Sequence, residues 1–277
     1  MRPTTSTQGI LRPRLTEKHI DLRRYPVAAD LDRYVERYWA VHWDLSDREP
    51  YQVELVPHPC VNVSFMPGLG GALHGVGTRK SVHPLAGRGW VFGVKFRPGG
   101  FGAYSGAPAC ALTDRSVPLR EVFGPAADAL GEAVLGAAAD EHRLELVETF
   151  LSRRLPEQDA AYEAVIHAVA MMLDDRQVTR VEQVADRLGI SVRSLQRLFR
   201  RYVGVGPKWV IRRYRMQDAA ERLAGDPAVD AAALAVELGW FDQAHFTRDF
   251  SELIGMSPRE YAAACAAAAD REPIIVR

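Results

Sequence analysis

Apolar residues recur at Val192, Leu195, Phe199 and Tyr202, stepping by three, four and three. That spacing puts all four on one face of a helix, and Arg193, Gln196, Arg197, Arg200 and Arg201 on the other. Further along, Phe246 and Phe250 take the places of Leu195 and Phe199, with Leu253 completing the stripe. The stretch from Val184 to Pro207 and the stretch from Leu234 to Pro258 are two copies of one pattern. Leu188-Gly189 matches Leu238-Gly239 at an offset of 50, whereas Arg197/Arg248, Gly204/Gly255 and Pro207/Pro258 match at 51. One residue is therefore inserted in the turn of the second copy. Each copy predicts a short helix, a glycine-containing turn and a second helix.

The same periodicity predicts seven helices in this half, at about 160–174, 180–188, 192–203, 207–224, 230–238, 242–254 and 258–269. The long middle one opens on Pro207, where a missing N–H costs little, and stops at Gly225. Trp209, Met216, Ala220 and Leu223 share one side of it, which makes it the spacer between the two units. Two further helices are predicted at 119–136 and 140–155, with Pro118, Gly136 and Pro156 as punctuation. Residues 26–115 read differently. Short β-branched and aromatic runs at Tyr51–Val56, Val61–Met66 and Trp90–Phe96 alternate with turn signals, PGLGG at 67–71 and RPGG at 97–100. Leu31 to Trp39 has helical character and leads into a strand.

The predicted fold class is therefore α+β: a small β-barrel or sandwich-like N-terminal domain with flanking helices, then an all-α domain of two helix-turn-helix units joined by a linker helix. The expected organisation is a loose arm over 1–25 and an effector-binding or dimerisation domain over 26–160, β-rich to 115 and helical from 116. A DNA-binding domain follows over 161–270, with its units at about 180–204 and 230–255.

Composition narrows the class. Hydrophobic residues make up 47% of the 277 and charged residues 25%, as in ordinary globular protein. No apolar run is long enough for a membrane span and no secretory leader is visible, so a cytoplasmic protein is expected. Cys60, Cys110 and Cys265 are odd in number and lack CxxC spacing, which favours buried thiols over a disulfide or zinc framework. The net charge of zero hides segregation. Residues 176–216 hold 11 basic and 2 acidic side chains, whereas residues 217–265 hold 3 basic and 9 acidic. A block of that kind attracts phosphate, so double-stranded DNA is the expected partner.

The chemistry of the outward faces agrees. Arginine matches guanine O6/N7 with a planar fork, glutamine can pair with adenine, and both also reach phosphate. The candidate DNA contacts are Arg193, Gln196, Arg197, Arg200 and Arg201 in the first unit, and Gln243, His245, Thr247 and Arg248 in the second. In the second, Ala244 stands where the first has Arg193, and Ser251 and Glu252 stand where it has Arg200 and Arg201. The second reader should grip less tightly.

This arrangement resembles the AraC/XylS family of bacterial transcription regulators. The carrying residues are Val184-Ala185, Leu188-Gly189, Ser194 to Phe199, Gly204 and Pro207, then Gly239-Trp240, Asp242 to Phe250, Gly255, Ser257-Pro258 and Tyr261. The resemblance implies base reading through the positions of Arg193, Gln196 and Arg197, and through Gln243, Ala244, His245 and Arg248. It further implies an N-terminal domain that binds a small effector or dimerises, and recruitment or blocking of RNA polymerase. Residues 26–135 are similar to an uncharacterised domain type attached to some of these regulators, on the landmarks Tyr34 to Trp39, Gly93 to Gly100 and Leu112 to Arg115 with Pro118-Leu119.

The N-terminal chemistry stays open. His58, His74 and His83 stand singly, so neither a metal nor another cofactor is expected. Trp39, His58, Phe65, Trp90 and Arg97 are the candidate effector-binding residues, although such aromatics equally fill a core. Leu130, Val134, Leu144, Val147 and Leu151 either face a second copy in a homodimer or cap the β domain. No enzyme is expected. The rival reading is a DNA-repair-type methyl acceptor fused to the same DNA-binding domain, which needs an activated thiolate at Cys60 or Cys110. A third is an architectural DNA binder with little sequence preference.

Overall fold

A computed structural model describes residues 9–11, 16–226 and 228–269. Among the described residues, eight strands come first: β1 (Asp21–Tyr25), β2 (Val35–Leu45), β3 (Tyr51–Leu55), β4 (Asn62–Met66), β5 (Gly70–His74), β6 (Ser81–Leu85), β7 (Gly87–Phe96) and β8 (Ser116–Pro118). Six of them form one sheet in the order β1-β2-β7-β4-β5-β8, and β3 pairs with β6 separately. All pairings are antiparallel. The barrel expectation is thus corrected, because β1 and β8 end the sheet as open edges and do not pair with each other.

Alternation along the strands gives the sheet two unlike faces. Tyr38, Ala40, Phe92, Val94 and Phe96 are buried on one, which helices cover. On the other, Trp39 lies over Gly93 and Trp43 over Gly89, each glycine leaving room for an indole ring across the strand pair. Leu45, Val53 and Leu85 form a small separate cluster with Val41 and Trp43 packed on it, which seats the β3–β6 pair on this second face.

Helices follow: α1 (Gly100–Ser105), α2 (Arg120–Phe123), α3 (Ala126–Gly136), α4 (Asp140–Ser152), α5 (Ala160–Asp174), α6 (Val181–Leu188), α7 (Val192–Tyr202), α8 (Pro207–Gly225), α9 (Ala231–Glu237), α10 (Gln243–Ile254) and α11 (Pro258–Ala269), with a 3-10 turn at Ala109–Leu112. The predicted helices of the C-terminal half fall within a residue or two of these bounds. Five elements carried no sequence prediction: β1, β5, β6, β8 and the short α1. Their runs are polar, glycine-rich or too brief for a period to show. Val35 to Trp39, expected to be helical, instead opens strand β2. The loose-arm expectation is corrected where residues are described, since Asp21–Tyr25 pairs with β2, and Leu11 is buried. Residues 1–8 and 12–15 of that arm lie outside the described residues.

Leu130, Val134, Val147 and Leu151 on α3 and α4 are buried in the same cluster as the sheet, with Leu144 packed against it. They cap the β domain, so these side chains are not available to a second copy. That hydrophobic cluster continues without a break through Tyr162 and Val165 of α5 into Leu195, Phe199 and Tyr202 of α7, and ends at Tyr214 in α8. A second cluster holds Met216, Ala219 and Leu223 of α8 with Leu234, Phe246, Phe250, Ile254 and Tyr261. The spacer helix therefore belongs to both cores, one at each end.

The first unit is pressed closely onto the N-terminal part. Gly102 of α1 meets the C-terminal end of α7, and a Cβ there would sit 2.4 Å from the Tyr202 carbonyl oxygen. Thr113 donates its hydroxyl proton to the Gly204 carbonyl at 2.8 Å, and Tyr202 bonds Asp159 through its hydroxyl. Gly102→Ala is expected to destabilise the chain by about 1–3 kcal/mol through overpacking against backbone that cannot yield easily. Urea unfolding measures this, and an unchanged midpoint would mean that the two helices are free to separate.

Candidate nucleic-acid interface

Helix α7 is held so that its apolar stripe is spent inward. Leu195 and Phe199 are fully buried, Tyr202 nearly so, and Val192 packs at the edge. The turn before it works because Gly189 adopts φ +65°, a left-handed conformation that closes α6 at its C-terminus. Ser191 then caps α7 by accepting the Ser194 N–H at 3.1 Å. With one face fixed and the start of the helix fixed, the opposite face is delivered to solvent. Arg193, Gln196, Arg197, Arg200 and Arg201 are all exposed.

The second unit repeats the device with different side chains. Gly239 takes φ +88° after α9, and Asp242 caps α10 by accepting the His245 N–H at 2.7 Å. Phe246 and Phe250 are buried, and Ile254 rather than Leu253 completes the inward face. On the inward side of this helix lies a carboxylate, Asp249, that is part of the sequence resemblance but carried no role in it. Asp249 is buried, accepts the Trp240 indole N–H at 2.8 Å and pairs with Arg212 of α8 at 2.5 Å. His245 approaches the same carboxylate at 3.3 Å. The structure thus gives His245 a tie within its own helix, although the ring stays partly exposed. Gln243, Ala244 and Arg248 point outward, and Thr247 is half-buried. A doubly used acid among aromatic residues was detectable only from its i, i+4 spacing to His245.

Spacer helix α8 sets the separation of the two units. Its 19 residues span about 28 Å at 1.5 Å per residue. Beyond the predicted stripe, Val210, Ile211, Tyr214 and Ala219 are also buried, so the helix is enclosed on several sides. At its C-terminal end Arg222 makes a two-pronged bond to Glu237 of α9, at 2.6 and 2.7 Å.

The basic block of 176–216 is smaller at the surface than the sequence count. Arg213 and Arg215 are buried. Arg213 reaches the Pro57 carbonyl, and burial pushes its guanidinium down to about 10. Arg215 pairs with Asp218 at 2.7 Å and also bonds the Met172 carbonyl. Arg187 pairs with Asp175 at 2.6 Å. What remains outward is Arg176 and Arg180 before α6, the ion-paired Arg187 and Arg212, and the four arginines of α7 with Lys208. Beside them opens a cleft of about 470 Å³ lined by Gln196, Arg200, Gly206 and Lys208 on one side, and by Cys110 and Thr113 on the other. An N-terminal loop therefore stands within reach of the first reading helix.

The five effector candidates do not share a cavity. Trp39 lies over Gly93 on the sheet face opposite to Phe65 and Trp90, because strand alternation separates them. Trp90 carries the Arg143 guanidinium 3.6 Å above its ring. Phe65 borders a void of only about 10 Å³ under α2, α3 and α4. Arg97 is buried and bonded to Asp32 at 2.6 Å, and His58 sits beside Arg213 at 3.5 Å. The sequence had no means of placing these residues on one surface. Among the described residues, no group of three or more His, Cys, Asp or Glu is placed to hold a metal ion.

Residues 184–264 match a family model described as a helix-turn-helix domain, and residues 23–118 match a domain of unknown function, DUF6597. The C-terminal domain is of the AraC type. Its two units and spacer cover the residues that carry the resemblance, and the curated relatives of this region are regulators. The chain is 37% identical over 83 residues to a putative HTH-type transcriptional regulator, YkgA, of Escherichia coli, a match covering 29% of this chain and 34% of that protein. It is 30% identical over 143 residues to a probable thc operon regulatory protein of Rhodococcus erythropolis, covering 50% of this chain and 40% of the relative. The matched regions thus span between a third and two fifths of those relatives. Among solved structures, an AraC-type DNA-binding domain from Chromobacterium violaceum is 23% identical, with 38% of this chain and 95% of that chain covered and a TM-score of 0.35. ToxT of Vibrio cholerae, crystallised with a naphthalenyl butenoic acid, is 11% identical, with 89% and 99% covered and a TM-score of 0.41.

Proposed function

We propose that this protein is a sequence-specific DNA-binding transcription regulator of the AraC type, whose residues 26–160 sense a small molecule and whose residues 161–270 read DNA. The observation that carries the reading is the pair of capped, outward-facing helices α7 and α10, held apart by a single enclosed helix. A recognition helix in a major groove reads through its N-terminal residues, and successive grooves on one side of the duplex recur about every 34 Å. Arg193, Gln196 and Arg197 would read bases in one groove, and Gln243 and Arg248 in the next. Arg200, Arg201 and Lys208 would neutralise phosphates, with RNA polymerase or a second copy of the chain as further partners on the promoter.

Effector control has support in the shared core and in the cleft beside α7. A ligand that moved the loop at Cys110 and Thr113 would shift Gln196 and Arg200 with it, since Thr113 is bonded to the end of the first unit. The methyl-acceptor reading has less support. Burial pushes the Cys60 thiol up to about 12, the reverse of an activated nucleophile.

Selection of duplexes from a randomised pool by the full chain, followed by hydroxyl-radical footprinting, tests the reading. Two protected patches about one helical turn apart on one face are expected, surviving competition by unrelated DNA at fixed salt. Enrichment of no sequence at all would leave an architectural binder and overturn the proposal.

A further inference from the structure

The residue that makes the second copy one longer than the first is Phe241, which lies in the turn between Gly239 and the α10 cap Asp242. It is 89% exposed, the most exposed large hydrophobic side chain among the described residues. Its neighbour Trp240 is drawn inward by the bond from its indole N–H to Asp249, and the chain turns outward immediately after it. Phe241 therefore stands free at the N-terminal end of the reading helix. Ala244, also exposed, follows one turn on at the position where the first unit has Arg193.

A phenyl ring left in water at this place gains nothing for folding. Apolar side chains at the start of a recognition helix have one specific partner in the major groove, the C5-methyl group of thymine, which alanine and phenylalanine both contact well. The insertion thus does more than lengthen a turn. It exchanges the hydrogen-bonding edge of the first unit for an apolar one.

Building on the DNA-reading proposal above, we infer that Phe241 and Ala244 read thymine methyl groups, so that the half-site under α10 is selected for thymine while the half-site under α7 is selected for guanine by Arg193 and Arg197. The two units then differ in kind of contact as well as in strength. Unit one works through charge and hydrogen bonds, and unit two through methyl burial with Gln243 and Arg248 at its flanks.

The experiment uses the full chain and the duplex it selects from a randomised pool. Each thymine in the second half-site is replaced in turn by deoxyuridine, which keeps every hydrogen bond and removes only the methyl group. One or two positions should each lose roughly fourfold in affinity, the effect of one buried methyl group. In Phe241→Ala, whose Cβ stub in the turn falls short of the reach of the ring, the loss at one of these positions should vanish. In Phe241→Leu, which keeps a longer apolar side chain, it should persist. Phe241 is exposed, so neither variant threatens the fold. If every deoxyuridine is neutral, or if Phe241→Ala leaves the methyl effect intact, the methyl reading is wrong while specific DNA binding stands. Selection of no sequence at all would instead remove the underlying DNA reading.

Discussion

Truncating Phe199 to alanine is expected to cost about 3–5 kcal/mol of stability, and to loosen the β domain together with the first helix-turn-helix unit. The side chain is fully buried, and its cluster runs from Val63, Phe92 and Phe96 of the sheet through α5 to Tyr214 in α8. A cavity at Phe199 removes packing contacts at the joint between the two halves, and the close approaches around Gly102 leave little room for collapse. Phe250→Ala, fully buried in the other cluster, should be comparably costly for the second unit but should leave the sheet protected. Amide hydrogen exchange on both variants separates the cases. Strands β4 and β7 should lose protection in Phe199→Ala and keep it in Phe250→Ala. Equal behaviour of the sheet in the two variants would show that the continuous cluster does not act as one cooperative unit.

Removing Arg193 and Arg197 together should weaken operator binding by more than one bidentate guanine contact, itself worth about 1–3 kcal/mol, and the two losses are non-additive because the residues are neighbours on one helix face. Both residues are exposed on a helix whose opposite face holds the core, so the double alanine variant should unfold at the wild-type temperature. Discrimination should fall at two base positions of one half-site, whereas losing Arg201 or Lys208 should weaken all sequences alike and flatten the salt dependence. Arg248→Ala should cost less than Arg197→Ala, because α10 offers one exposed arginine where α7 offers four, and an acid, Glu252, lies close by. Titrations at one salt concentration decide this, and equal losses from Arg197→Ala and Arg248→Ala would contradict the asymmetry.

The DNA-reading half was legible because its information is local. Helix periodicity, the caps Ser191 and Asp242 and the glycines 189 and 239 all act within a few residues, so pattern alone located seven helices and both outward faces. The insertion at Phe241 was visible as a change of offset, although its exposure was not. In the N-terminal half the strands around Tyr51, Val61 and Trp90 were legible, but not their partners. The separation of β3 and β6 from the main sheet depends on contacts far apart in the chain.

By itself, then, the order of residues determined the duplicated units, the unequal charge of their outer faces and the α+β class, since each follows from short-range spacing. The tertiary structure alone decided that the sheet stays open and that Arg213 and Arg215 turn inward. It also decided that the aromatics proposed for one pocket lie on opposite faces, and that the first unit shares its core with the β domain. Burial is a property of the surfaces that come together, and no window of sequence contains both partners.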